Sequence, residues 1–252
     1  MTIFYILIGF IIGGLVIAMG GGGAAYYLGI MTAVAGIAPA SAATTSLYTA
    51  LPSLIIGAYS HYRTGNMRIH YANQLLITAV PATVVGSLIS PYIPSSLYTW
   101  LIFIIFLILG IQVLMRAFKK KAPTEKINKK EAYVYGTVSG LMVGVAGLSG
   151  GGAFVAGLLL MGLTMPEAAA TSSYALIVTS IVGLLMHITE QGNIAWKVGT
   201  LMLVGAIVGA WLMPHFLARF DKEKLTKVMS PIMGVLMIFM GTYMLLAFYH
   251  IL

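Results

Sequence analysis

Long apolar stretches separated by a few charged turns set the pattern of this chain. Asp, Glu, Lys and Arg are absent from residues 1–62, 69–115, 132–166, 168–189, 198–218 and 228–252. A helix needs about 20 apolar residues to cross a bilayer, so every window holds at least one span. The pattern predicts helical segments at 2–19, 24–34, 41–60, 72–92, 96–118, 132–148, 153–162, 167–187, 195–216 and 225–249. Segments 24–34 and 153–162 are too short to cross alone. At about 1.5 Å per residue, each covers only half of a core roughly 30 Å thick.

Composition narrows the class. The 252 residues are 60% hydrophobic and 8% charged, with mean hydropathy +0.97. Soluble domains carry about 25% charged residues, so this is a polytopic membrane protein. The first apolar run has no Lys or Arg before it and lacks a small-x-small cleavage site with polar flanks, so it reads as a retained span. With 0 Cys there is neither a disulfide framework nor a thiolate metal site, and no His or acidic cluster suggests a metal. No cofactor is implied. The 16 Met serve as apolar filling. The net charge of +8 does not point to nucleic acid, because the positive residues sit in turns between spans, where topology accounts for them.

Two halves share an order of motifs. Gly20-Gly21-Gly22-Gly23-Ala24 is echoed by Ser149-Gly150-Gly151-Gly152-Ala153, and Ala43-Thr44-Thr45-Ser46-Leu47-Tyr48 by Ala169-Ala170-Thr171-Ser172-Ser173-Tyr174. Gly21 precedes Gly150 by 129 residues, Thr45 precedes Thr171 by 126, His61 precedes His187 by 126, Gly65-Asn66 precedes Gly192-Asn193 by 127, and Pro91 precedes Pro214 by 123. The offsets divide the chain into repeats at 1–118 and 132–252, joined by a basic segment at 119–131. That segment carries Lys119, Lys120, Lys121, Lys126, Lys129 and Lys130 and is expected to be cytoplasmic. Counting spans from it puts Arg63 and Arg68 inside, together with Arg219, Lys222, Lys224 and Lys227. The turns at 91–95 and 190–193, without Lys or Arg, then lie outside. Corresponding turns thus fall on opposite sides. The expected fold is an all-α polytopic protein of the cell membrane with two inverted-topology repeats. Each would hold a glycine-broken helical hairpin and three full spans, with both termini extracytoplasmic. A duplicated, glycine-interrupted pair of apolar segments is a pointer to the midplane binding site of a secondary transporter.

In these motifs the chain resembles the sulfite exporter TauE/SafE-type family. The residues that carry the resemblance are Gly150-Gly151-Gly152, Ala170-Thr171-Ser172, His187 and Gly192-Asn193. A first copy holds Gly21-Gly22-Gly23, Thr44-Thr45-Ser46, His61 and Gly65-Asn66. That copy has Thr44 where Ala is usual and Gly20 opposite Ser149, so the halves are not expected to contribute equally. The resemblance implies transport of sulfite, a sulfonate or a related sulfur-containing anion, commonly outward. The expected partners are that anion and the lipid bilayer, and a homo-oligomer is compatible with this reading.

An anion within a bilayer needs donors that carry little desolvation cost of their own. Free backbone N–H groups at the start of a short helix supply them, backed by about half a positive charge from the helix dipole. The expected substrate-binding residues are Gly21, Gly22, Gly23, Thr45, Ser46, Ser149, Gly150, Gly151, Gly152, Thr171 and Ser172. A site of neutral donors binds weakly and releases readily, as transport requires. The competing reading of glycine is close helix packing, which Gly9-x-x-x-Gly13, Gly140-x-x-x-Gly144 and Gly205-x-x-x-Gly209 fit well. Hydroxyls in spans also bond back to carbonyls of their own helix. His61 and His187 are candidates for gating or proton-linked roles, against the alternative of histidines hydrogen-bonded near the headgroups. Glu167, three residues after Thr164, has capping-box spacing and reads as structural.

Energetics favour export. An inside-negative potential of 100 mV assists exit of a dianion by about 4.6 kcal/mol, twice the value for one charge. Two other readings compete. Gly147-Leu148-Ser149-Gly150-Gly151 matches Gly-x-Ser-x-Gly, so Ser149 with His187 would suit an intramembrane serine hydrolase. An accessory membrane subunit is the other.

Overall fold

The computed structural model describes residues 2–18, 20, 22–37, 39–117, 129–190, 193–217 and 219–249. Gly21, Gly192 and most of the joining segment lie outside the described residues. Among the described residues there are ten α-helices and no strand: α1 (Thr2–Ala18), α2 (Ala24–Ala33), α3 (Pro39–Arg63), α4 (Ile69–Ile89), α5 (Ser95–Ala117), α6 (Lys129–Ala146), α7 (Gly151–Leu160), α8 (Met165–Glu190), α9 (Trp196–Leu217) and α10 (Lys222–Phe248). A single 3-10 turn, Ser90–Tyr92, follows α4. Each helix matches one apolar segment of the sequence. Four stretches are long and apolar enough to cross a membrane by length and composition: Ile69–Ile89, Met165–Ile188, Trp196–Leu217 and Glu223–Tyr243.

Side chains sort by face as a lipid solvent demands. On α1, Ile3, Leu7 and Ile11 follow one another at helical spacing and are 74%, 55% and 54% exposed. The opposite face carries Gly9 and Gly13, which press against the carbonyls of Met202 and Ala206 on α9. The same seam recurs 127 residues on, where Gly136 and Gly140 of α6 press against the carbonyls of Leu75 and Ala79 on α4. Small residues let helices approach closely in a medium without a hydrophobic drive to associate. Packing is therefore the role of these glycines.

The closest seams join elements of different halves. Along α3 and α9, the Ala195 N–H donates to Thr45 Oγ1 at 2.9 Å, Thr49 Oγ1 donates to the Gly199 carbonyl at 3.3 Å, and Ser60 Oγ lies 2.9 Å from His215 Nδ1. Those contacts advance together, so α3 and α9 run in the same direction. Along α4 and α8, the Arg68 N–H donates to Thr171 Oγ1 at 3.0 Å, and further on Thr83 lies beside Gly183, so these two also run together. By contrast, α5 and α10 are antiparallel, with Phe103 near Gly241 and Gly110 near Gly234 and Ile238. The interior lies between α3 and α8, where residues such as Thr44, Leu47, Ala168 and Thr171 are fully buried. Against this centre the short helix α7 is buried from Gly151 to Leu159.

Candidate functional site

Both short helices begin on a glycine in the left-handed region. Gly23 precedes α2 with φ 76°, and Gly150 precedes α7 with φ 54°. An L side chain is disfavoured there, so glycine is what allows the chain to turn from one helix into the next. Neither position makes a side-chain capping hydrogen bond. In α2 the first amides bonded within the helix are those of Tyr26 and Tyr27, which donate to the Gly23 carbonyl at 3.0 Å. In α7 they are Ala153 and Phe154, donating to Gly150 at 3.1 and 3.3 Å. The preceding N–H groups, on Ala24 and Ala25 and on Gly151 and Gly152, have no earlier turn to bond to. Each end is thus positive and open to an acceptor.

The backbone also corrects the register between halves. The sequence comparison pairs Gly21 with Gly150, whereas the two left-handed caps pair Gly23 with Gly150, an offset of 127. The same offset pairs Gly20, φ 73°, with Gly147, φ 61°. A run of four glycines offers no side chain by which to choose a register, so only conformation decides it. In this register Ser149 corresponds to Gly22, and the two are neighbours. A Cβ on Gly22 would stand 2.6 Å from Ser149 Cβ and 3.0 Å from its Oγ. The two breaks therefore meet.

Hydroxyls hold the breaks together across the halves. Ser172 Oγ donates to the Gly20 carbonyl at 2.8 Å. Its counterpart Ser46 donates to Ala43 at 2.8 Å and reaches the Gly147 carbonyl at 3.5 Å. Thr45 accepts from Ala195, as Thr171 accepts from Arg68. Thr45 also bonds back to the Ser41 carbonyl. These four side chains are buried and bonded to protein, and Ser149 alone of the five predicted hydroxyls borders a cavity.

A cavity of about 30 Å³ lies at the second break, room for one or two waters. Ser149 to Gly152 form one side, and Ala25 and Tyr26 from the first turn of α2 form another. Phe106 and Met237 close it; a Cβ on Gly152 would approach each of them to 3.2 Å. Sequence reasoning missed Ser139, whose Oγ donates to the Gly150 carbonyl at 2.8 Å. A lone serine in an apolar helix gives no signal. At the corresponding position, 127 residues earlier, stands Ile12, so the second break is the more polar one.

Glu167 folds back onto Thr164, as the capping-box spacing predicts. Its Oε2 accepts from Thr164 N at 3.1 Å and from Thr164 Oγ1 at 2.8 Å. The unforeseen partner is Arg68, whose Nη2 donates to Oε1 at 2.7 Å. His61 and His187 are both buried, 3% and 5% exposed. His187 Nε2 lies 3.5 Å from the Val143 carbonyl near the end of α6, and neither ring nitrogen of His61 has a hydrogen-bond partner among the described residues. Ser149 lies between two helices, without the strand-to-helix turn that makes Gly-x-Ser-x-Gly a nucleophile elbow.

Apolar helices with lipid-facing surfaces, interrupted in the interior where uncapped amide ends meet, define a multi-pass membrane protein of the transporter class. The chain belongs to the sulfite exporter TauE/SafE family, whose model matches residues 5–244. It is 27% identical over 243 residues to the probable membrane transporter protein YdhB of Bacillus subtilis (strain 168), covering 93% of this chain and 99% of that one. It is 24% identical over 251 residues to the probable membrane transporter protein YjnA of the same organism, covering 93% and 98%. A partial similarity, 30% over 135 residues, joins 51% of this chain to 48% of an undecaprenyl-diphosphatase of Geobacillus sp. (strain WCH70).

Proposed function

We propose that the chain is a secondary transporter that moves a small sulfur-containing anion, such as sulfite or a sulfonate, out of the cell by alternating access. The observation that carries this reading is the meeting of two uncapped helix starts, at Gly23 and Gly150, beside one small cavity. The donors are the backbone at residues 22–25 and 150–152, with Ser149 contributing a hydroxyl. Gly21 belongs to the same cluster by sequence. Thr45, Ser46, Thr171 and Ser172 act at one remove, fixing the breaks whose amides face the anion. His61 and His187 are the candidates for a proton-linked step, since both lie buried at matching positions.

The reading includes two inverted halves, 1–118 and 132–252. Its support is that α3 runs with α9 while its counterpart α8 runs with α4. Successive spans joined by a short turn run in opposite directions, so α3 and α8 oppose each other. With the basic segment inside, an inside-negative potential assists a dianion outward by about 4.6 kcal/mol per 100 mV.

Counterflow in liposomes with sulfite, sulfate, thiosulfate and simple organosulfonates tests the assignment. Sulfite or a sulfonate should exchange, and Gly151→Leu should abolish that exchange while membrane insertion stays normal. Thr171→Val should lower it several-fold, because the Arg68 amide then loses the acceptor that ties the start of α4 to α8. Unchanged flux in both variants, or no exchange of any sulfur anion, refutes the site or the substrate class respectively.

A further inference from the structure

We propose that Arg68 and Glu167 form a latch between the halves that closes one face of the molecule and sets the rate at which the pathway opens there. Arg68 lies in the turn between α3 and α4, and Glu167 in the first turn of α8. The guanidinium reaches the carboxylate at 2.7 Å, with the Arg68 side chain 43% exposed and that of Glu167 9%. Two further contacts hold the pair in position. Thr164 fixes the other carboxylate oxygen through its N–H and hydroxyl, while the backbone N–H of Arg68 is tied to Thr171 Oγ1. The carboxylate thus stands ready in place, and the arginine docks onto it from the other half.

Among the described residues the opposite end of the molecule lacks this device. The repeat offsets put Ala195 where Arg68 stands and Ser41 where Glu167 stands. There the Thr45 to Ala195 bond survives as the equivalent of the Thr171 to Arg68 bond, without a charged pair beside it. Two ends with the same hydroxyl-to-amide bond therefore differ by one ion pair. An exposed ion pair contributes little, but separating this one leaves a largely buried carboxylate without its cation, which is unfavourable. Alternating access requires the halves to part at one face at a time, so the Arg68 face opens against the larger barrier. Assigning that face to the cytoplasm rests on the topology proposed above; the latch itself does not.

The chain has no cysteine, so Met142→Cys, in the wall of the cavity, provides a single labelling site. In sealed vesicles of each orientation, a membrane-impermeant maleimide should label it roughly tenfold faster from the Arg68 face in Arg68→Gln and in Glu167→Gln, with the other face unchanged. The charge exchange R68E/E167R should return the rate towards that of the parent. Equal labelling in all variants overturns the latch, as does acceleration at both faces or a defect the exchange does not rescue. Labelling uses no transported anion. Failure of sulfite counterflow alongside side-specific labelling would remove the substrate assignment and leave the latch standing.

Discussion

At the scale of single residues, the site depends on where a side chain is forbidden. Gly150 combines a left-handed backbone with a neighbour that leaves no room, since a Cβ there would stand 2.5 Å from the Ser139 carbonyl oxygen. Gly29, in the body of α2, would place its Cβ in open space. Gly150→Ala should therefore lower both thermal stability in detergent and sulfite flux. Gly29→Ala should leave flux unchanged and stabilise by about 0.5–1 kcal/mol, since alanine is the better helix former. Equal thermal shifts for the two would show that conformation at Gly150 does not matter. The glycine clusters were visible in the sequence. Which of their members carries the turn was not, because four identical residues differ only in φ.

At the scale of helices, small residues decide which surfaces touch. Gly140 meets the carbonyl of Ala79, so α6 and α4 approach at backbone distance. Gly140→Leu should push these helices apart, and size-exclusion chromatography in detergent should show loss of the monodisperse protein. Ile77→Val, on the lipid-facing side of α4 at 54% exposure, should leave the profile intact. The x-x-x spacing of glycine announced a close seam in the sequence. It could not name the partner, because any apolar helix with a small face satisfies the same spacing.

At the scale of the whole molecule, the halves are interlocked rather than set side by side. Each broken helix leans on the other half, α1 on α9 and α6 on α4, and the hydroxyls of Ser46 and Ser172 each reach across to the other half's break. In the proposed inverted arrangement, a cytoplasmic basic segment fixes which turns face each side of the membrane. Tyr92→Cys, at 85% exposure, should be labelled by an impermeant maleimide only from the outside, and Arg219→Cys, also exposed, only from the cytoplasmic face. Labelling of both from one side would overturn the topology.

The sequence by itself determined the class and the helices and suggested the two repeats, since all three readings rest on local facts. Apolar run length fits the bilayer, charge is absent within runs, and motif order recurs along the chain. It also carried the family resemblance and the capping role of Glu167, whose partner lies three residues away. Tertiary structure alone decided that Gly22 faces Ser149, that Ser139 supports Gly150 and that Arg68 crosses to Glu167. Those contacts join residues 11 to 127 positions apart. Hydropathy and spacing report what solvent a helix face meets; which polar group ends up opposite another depends on how the helices pack.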